Sequence, residues 1–336
     1  MKRQNAIIQQ QELTLREKLP RFFLLLILLI ITALFGGLNK NIFSTMGTTA
    51  IIMTTSIQGI LALGLMLELT TGNFDLAFGA NAGFAAAIVG RIMSSAQPSL
   101  YPVVILVGII AAATVGAISA FLTVKVGIPA FVATLAMRSV LGAFTSLLTN
   151  NTTYYSYNWG NTYRILGQGK LFDVIPYAFV IFVIVAVIIY IFTEKSKTGR
   201  YIFATGANRT AAQNVGINTV KMQFISFIIG GSLAAIGGII HSSRNYSVTV
   251  QMGLDLQMPA LLCCLLSATF LTPGKYNVPG CIVGSMLTAI LTIGIFSTLG
   301  TSVYIKSIFE GITFMVAIGL IAKISREGLP KVRFDI

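Results

Sequence analysis

The chain has 336 residues, of which 55% are hydrophobic and only 10% charged, and its mean hydropathy is +0.84. A soluble fold of this size cannot hide so much apolar surface, so the composition excludes a water-soluble enzyme or binding module and indicates a polytopic membrane protein. The net charge of +13 does not call for a nucleic-acid partner, because the lysines and arginines gather beside apolar runs as the positive-inside rule requires.

Residues 1–21 form a polar, basic N-terminal segment. The apolar run at 22–39 follows it as the core of a signal peptide would, but the segment carries Glu12 and Glu17 and the run leads into ALFGGLNK without a small-x-small cleavage site. It therefore reads as an uncleaved first span. Further stretches near the ~20 apolar residues that a crossing needs follow at 46–67, 74–90, 101–124, 126–149, 174–193, 222–242, 256–272, 278–299 and 304–322. The third and eighth of the ten are the weakest. The expected fold is all-α, a polytopic transmembrane helix bundle of about ten spans over 22–322, with a tail at 323–336. Small residues such as Gly280 and Gly284 allow its helices to approach closely. With the N-terminus inside, the basic residues of both ends, Lys125, Lys195, Lys197, Arg200, Arg209, Lys221 and Lys275 fall in the cytoplasm. Lys40, Arg91, Arg164, Lys170 and Arg244 fall outside, and Arg138 and Lys306 lie within or at the edge of spans. Both termini are thus expected to be cytoplasmic.

Between the fifth and sixth spans, NNTTYYSYNWGNTYRILGQGK carries tyrosines and the lone Trp159, which suit either an aromatic belt at the outer interface or a docking lip for an extracytoplasmic partner. Cys263, Cys264 and Cys281 lie in or beside spans with no second CxxC or histidine cluster, so no metal site is expected and the thiols read as packing residues. His241, the single histidine, reads as structural. No catalytic constellation is visible. A nucleotide-binding loop would show GxxxxGK followed by Ser or Thr, but Gly169-Lys170 and Gly274-Lys275 lack both the following hydroxyl and the spaced glycine. If ATP drives this protein, another chain binds it.

The polar interruption at 194–221, EKSKTGRYIFATGANRTAAQNVGINTVK, lies between two spans. Within it Asn208 has the character of an N-cap and Gly216 that of a C-terminal stop, bracketing a short helix. Ala211, Ala212 and Val215 would share one small apolar face, which such a stub cannot bury in its own loop. A docking groove on another protein and a short helix without a partner both fit these residues taken alone.

The same segment resembles the cytoplasmic coupling segment of the permease subunits of bacterial ABC sugar importers, the ribose, xylose and galactoside type, a family that also includes autoinducer importers. The resemblance runs through Thr198, Gly199 and Arg200, then Gly206, Asn208, Ala211, Ala212 and Gly216-Ile217-Asn218. It extends over roughly 20–322. TTGNFDLAFGA is similar to a family signature through Gly72, Asp75, Leu76 and Gly79. GIPAFVATLAM is similar to another through Phe131, Thr134 and Leu135, and Ser243-Arg244 and Gly253 match a third. The resemblance implies a bacterial inner-membrane location, two permeases forming the path, ATPase subunits docked on 194–221, and a solute-binding protein outside. ATP is then used by a partner and no cofactor is bound by this chain. Asp75 reads as the N-cap of the next helix rather than a substrate contact.

The chain also departs from the pattern. Ser267 and Ala268 stand where the family has paired glycines, which implies a loss of tight packing, and Asp255 stands where a glutamate is usual. Gly142-Ala143 replaces Arg-Gly, with Arg138 one turn earlier, and Glu310 precedes Gly311 where lysine is usual. A charge deep in a span costs about 2.5–3.5 kcal/mol, so Arg138 and Glu310 should face protein or water and could pair. These departures fit a permease that assembles with a second, different permease, or one with a changed ligand. The expected function is the permease subunit of an ATP-driven importer of a sugar or sugar-like solute. A self-sufficient secondary transporter or channel is the alternative, opposed by the few ionisable groups in the spans, essentially Arg138 and Glu310.

Overall fold

The computed structural model describes residues 15–95, 97–155, 159 and 161–299, with residues 308, 311, 312, 315, 316 and 319 of the segment that follows. The chain begins with α1 (Leu15–Leu38), α2 (Thr45–Thr70), α3 (Phe78–Met93), α4 (Tyr101–Phe121, prolonged by a widened turn over Leu122–Val126) and α5 (Ala130–Leu148). Then come β1 (Tyr154–Tyr155), α6 (Asn161–Gln168), β2 (Lys170–Leu171), β3 (Ile175–Pro176), α7 (Tyr177–Lys195), α8 (Lys197–Ala207) and α9 (Arg209–Asn214). The remaining elements are α10 (Thr219–Asn245), β4 (Ser247–Val248), α11 (Met252–Ser267) and α12 (Val278–Leu299).

Among the described residues, six helices are long and apolar enough to cross a membrane, namely α2, α4 with its extension, α5, α7, α10 and α12. Shorter apolar helices occupy the expected first, third and eighth spans, as Leu24–Leu38, α3 and α11. The tenth, at 304–322, lies largely outside the described residues, as do Lys306, Glu310 and the two polar ends. At 16 residues each, α3 and α11 reach only about 24 Å, against a hydrocarbon core of about 30 Å. Irregular backbone adjoins each of them: 71–77 ahead of α3, and 268–277 after α11.

Such backbone survives at membrane depth only if its polar groups are satisfied inside the protein. Gly72, left-handed at φ +87, closes α2 by donating to Leu69 O at 3.0 Å while Asn73 N donates to Glu68 O at 3.1 Å, the paired bonds of a Schellman cap. Ala77 N donates to Asp75 Oδ1 at 2.6 Å, and Leu76 N to Thr134 Oγ1 at 3.0 Å. The N-cap position of α3 is therefore Ala77 rather than Asp75; Asp75 acts one step earlier, in a tight turn that aims the chain into the helix. After α11, Asn277 Nδ2 donates to Ser267 O at 2.9 Å and Phe270 O at 2.8 Å, and its Oδ1 accepts from Gly280 N at 2.8 Å.

The core is organised around α2 and α10. From Ser56 to Thr70 every residue of α2 is buried, and α10 packs against α2, α3 and α4 while α12 packs against α2, α11 and α1. Gly79 on α3 and Gly253 on α11 touch backbone to backbone, so that a Cβ on either would strike the other's carbonyl oxygen. The packing expected to be lost at Ser267 and Ala268 is not lost. Gly280 of α12 lies against Ser267, where a Cβ would be 2.6 Å from Ser267 Cα, and Gly284 lies against Cys263. The glycines of the close pair stand on the other helix. Cys263, Cys264 and Cys281 are buried and unbridged at this contact.

Trp159 is neither a lipid-facing belt residue nor a docking lip. It is 2% exposed and meets Tyr163 edge-on at 4.9 Å, because β1 pairs antiparallel with β4 and folds the loop back over Gly90 and α10. Tyr163 OH donates to Ile239 O at 3.2 Å. His241 Nε2 is 3.0 Å from Asn245 Nδ2 on the same helix.

Gly253→Val should destabilise the bundle by about 1–3 kcal/mol through overpacking, read as a lowered Tm and loss of monodisperse protein in detergent. Gly142→Ala, whose Cβ would have nothing within 4 Å, should leave both unchanged.

Candidate functional site

The polar segment folds into two helices joined by one residue. Ser196 caps α8 by accepting from Gly199 N at 2.9 Å. Asn208 then serves both helices: its N–H donates to Ala204 O at 3.2 Å, closing α8, and its Oδ1 accepts from Ala211 N at 3.0 Å, opening α9. At the far end Gly216, at φ +83, donates to Gln213 O at 2.9 Å and Ile217 N donates to Ala212 O at 3.0 Å, a second Schellman cap. The N-cap and stop residues read from the sequence hold the positions expected of them.

The expected apolar face does not form as one surface. Ala212 is only 4% exposed and points into the chain's own packing between α8 and α10, whereas Ala211 is exposed and Val215 is 76% exposed. The stub buries one side in its own chain because Gly206 lets α8 rest on the end of α2, where a Cβ would collide with Thr70 O. Gly199 makes the same kind of approach to Phe192 O. Thr198 is half-buried, and Arg200 is exposed and donates to Lys195 O at 3.3 Å. What faces outward is Arg209, Thr210, Ala211, Asn214 and Val215.

Beneath the segment lies a cavity of about 590 Å3 between the end of α2, the connection from α4 to α5, and the residues 205–210. Asn73 spans its floor, donating to Thr71 Oγ1 at 2.9 Å and to Gln223 Oε1 at 3.2 Å. Lys275 joins the same end of the bundle, 3.8 Å from Glu194 Oε1 and 4.1 Å from the centre of the Phe203 ring. The second set of cations sits at the opposite end, where Arg91 and Arg164 stack on Tyr154 and Tyr246 at 5.8 and 4.7 Å. Arg244 donates there to Thr54 Oγ1 at 3.1 Å.

Of the other sequence-derived residues, Gly72, Asp75, Gly79 and Thr134 converge on the α2–α3 turn described above, and Phe131 lies half-buried one turn before Thr134. Arg138 is half-buried on α5, and Glu310 lies outside the described residues, so their pairing does too. The sequence reading missed Glu68. It is 1% exposed within α2, its carboxyl lies near that of Asp75, and Gly230 of α10 is pressed against Oε1. Its Oε2 has no hydrogen-bond partner among the described residues. Glu68 and Asp75, both buried, add to the ionisable groups that the sequence reading placed in spans, Arg138 and Glu310. No local pattern flags Glu68: α2 ends at Thr70, so the turn at 71–77, not helical spacing, brings Asp75 near it.

An apolar bundle that seats a doubly capped, outward-facing helical segment on the end of its most buried span has the build of a membrane transport permease. Residues 47–318 match the family described as branched-chain amino acid transport system / permease component. The chain belongs to that family. It is 29% identical over 303 residues to the ribose import permease protein RbsC of Haemophilus influenzae, covering 89% of this chain and 91% of the relative. It is 30% identical over 305 residues to RbsC of Bacillus subtilis, covering 90% and 92%. The autoinducer 2 import system permease protein LsrC of Yersinia pestis is 29% identical over 267 residues, covering 78% and 74%. No solved structure matches the chain at a significant level.

Asp75→Ala should remove the acceptor for Ala77 N and lower stability by about 1–3 kcal/mol. Asp75→Asn, which keeps that acceptor, should retain most of the wild-type Tm.

Proposed function

We propose that the chain is the translocation subunit of an ATP-driven importer in the bacterial inner membrane, carrying a sugar or sugar-like small solute. The relatives named for ribose and autoinducer import cover nearly the whole chain, which supports this substrate class. Ten spans with both termini in the cytoplasm account for the segregation of basic residues to the two ends of the bundle. On this reading α8 and α9 face the cytoplasm and dock an ATPase subunit, which binds and hydrolyses the ATP. A solute-binding protein delivers ligand to the opposite end, around Arg164 and Arg244. A second permease completes the path, as an identical or a different chain.

The observation that carries the reading is the seating of the α8–α9 segment. It is fixed at three caps and rests on α2 through Gly206 and Thr70. A force applied to its outward residues therefore reaches the most buried helix of the bundle. Thr198 and Arg200 belong to the first turn of α8, and Gly199, Gly206, Asn208, Ala211, Ala212, Val215 and Gly216 are assigned to this device in two groups. Gly199, Gly206, Asn208, Ala212 and Gly216 build and seat the segment. Ala211 and Val215, with Arg209, meet the ATPase.

The two groups separate experimentally. Val215→Arg should leave expression and Tm intact while placing a hydrated cation in the dock, weakening ATPase association by several kcal/mol. ATPase pulled down with the permease and ligand-stimulated ATP hydrolysis should both fall. Ala212→Arg should instead lower expression and Tm, because the new side chain has no room in its own chain. Normal uptake with Val215→Arg would rule out the docking assignment.

Topology is tested independently by single-cysteine labelling from outside intact cells. Cysteines at Arg209 and at positions 2 and 336 should be protected, and one at Arg164 should react. Labelling at Arg209 would invert the orientation and exclude the ATPase dock.

A further inference from the structure

The cavity beneath the α8–α9 segment shares only Arg209 with the docking residues named above, and its wall is chemically distinctive. Thr71, Thr123, Thr210, Asn73 and Gln223 line it with hydroxyls and amides, and Arg209 is its single charged side chain among the described residues. Of its three amides, Asn208 caps α9, and Asn73 and Gln223 are held in place rather than free to turn. Gln223 and Asn73 are 1% and 6% exposed, bonded to each other, to Thr71 and, from Gln223 Nε2, to Thr219 O at 3.2 Å. The hydroxyl of Thr123 is buried with no hydrogen-bond partner among the described residues. An orphaned buried hydroxyl beside fixed amides is a feature that a ligand or ordered water satisfies.

The volume of about 590 Å3 falls within the range of about 300–1,000 Å3 typical of small-molecule sites. An apolar occupant would leave these donors and acceptors desolvated and unpaired. A multiply charged anion would find one arginine, and a cation would find no carboxylate among the lining residues. What matches the wall is a molecule with many hydroxyls and little charge. Its walls also belong to parts that need not move together: the end of α2, the α4–α5 connection with Gly127 and Ile128, and the α8–α9 segment. A ligand that bonds across all three binds best to one arrangement of them and stabilises that arrangement.

We propose that this cavity is a second solute site, taking a small polyhydroxylated molecule of the sugar type from the side on which the ATPase docks, and that its occupancy restrains the α8–α9 segment and slows ATP turnover. The proposal rests on reading the chain as the permease of an ATP-driven sugar importer. Solute accumulated inside would then act back on its own uptake.

The test uses the full complex of this chain, its ATPase and any second permease in nanodiscs, without binding protein. ATP hydrolysis is measured against D-ribose, D-xylose and D-galactose, each rate normalised to the sugar-free rate of the same variant. At least one sugar should slow turnover by about twofold or more, as expected when a ligand favours one of two states. Thr123→Val removes one hydroxyl and should raise the half-effect concentration about fivefold, and Ile128→Trp, which fills the space, should abolish the effect. No slowing by any of the three sugars at tens of millimolar would overturn the proposal. Slowing that both variants retain in full would do the same, since the site would lie elsewhere. Import with the binding protein present is measured in parallel. Its failure removes the importer reading, whereas intact import without slowing removes only the second site.

Discussion

Inside a bilayer no water is available to complete a broken helix, so every interruption of the backbone needs partners from the protein itself. Two interruptions shape this molecule, at 71–77 and 268–277, and each is closed by a small set of polar side chains. Asp75 and Thr134 serve the first, Asn277 the second. Because Thr134 belongs to α5 and Ser267 to α11, closing the breaks also ties neighbouring helices together. The turn after α2 is thus a joint in the tertiary structure rather than a loop between spans. The same joint holds Glu68 against Asp75, and it borders the cavity under the α8–α9 segment through Thr71, Gly72 and Asn73. The α8–α9 segment, the buried acids and the helix break are one connected region.

Close backbone contact is distributed differently from helix to helix. Where α3 meets α11, both sides contribute a glycine, Gly79 and Gly253. Where α11 meets α12, one side suffices, since Gly280 and Gly284 accommodate Ser267 and Cys263. A helix pair needs one small surface for its backbones to approach, and either partner can supply it. Replacement of glycine by a larger residue on one helix therefore says little about packing until the facing helix is known. Ser267 and Ala268 give no ground, from packing alone, for a permease relieved of constraint.

Features set by local chemistry were legible in the sequence, and those set by tertiary choice were not. The long apolar runs, the cap at Asn208 and the stop at Gly216 depend on a few neighbouring residues, and they stand where the residue types place them. The side of α9 that turns inward depends on how Gly206 meets Thr70, which no pattern within residues 209–214 encodes. Trp159 was misread for a similar reason: pairing of β1 with β4 across more than ninety residues decides that its ring is covered. Glu68 was lost because one carboxylate in ILALGLMLELT hardly alters an apolar run. Only the pairing with Asp75 makes it conspicuous, and that pairing is a property of the folded turn.

The burial of Trp159 has a practical side. The chain contains one tryptophan, wedged between Gly90 and Tyr163 at the end of the bundle remote from α8 and α9. The two ends of α2 are separated by about 39 Å, the length of its 26 residues. The indole is therefore a built-in fluorophore that senses repacking at one end of the membrane, while nucleotide chemistry would act at the other. A change in its emission during ATP turnover would be a long-range signal, carried through the bundle with no label attached.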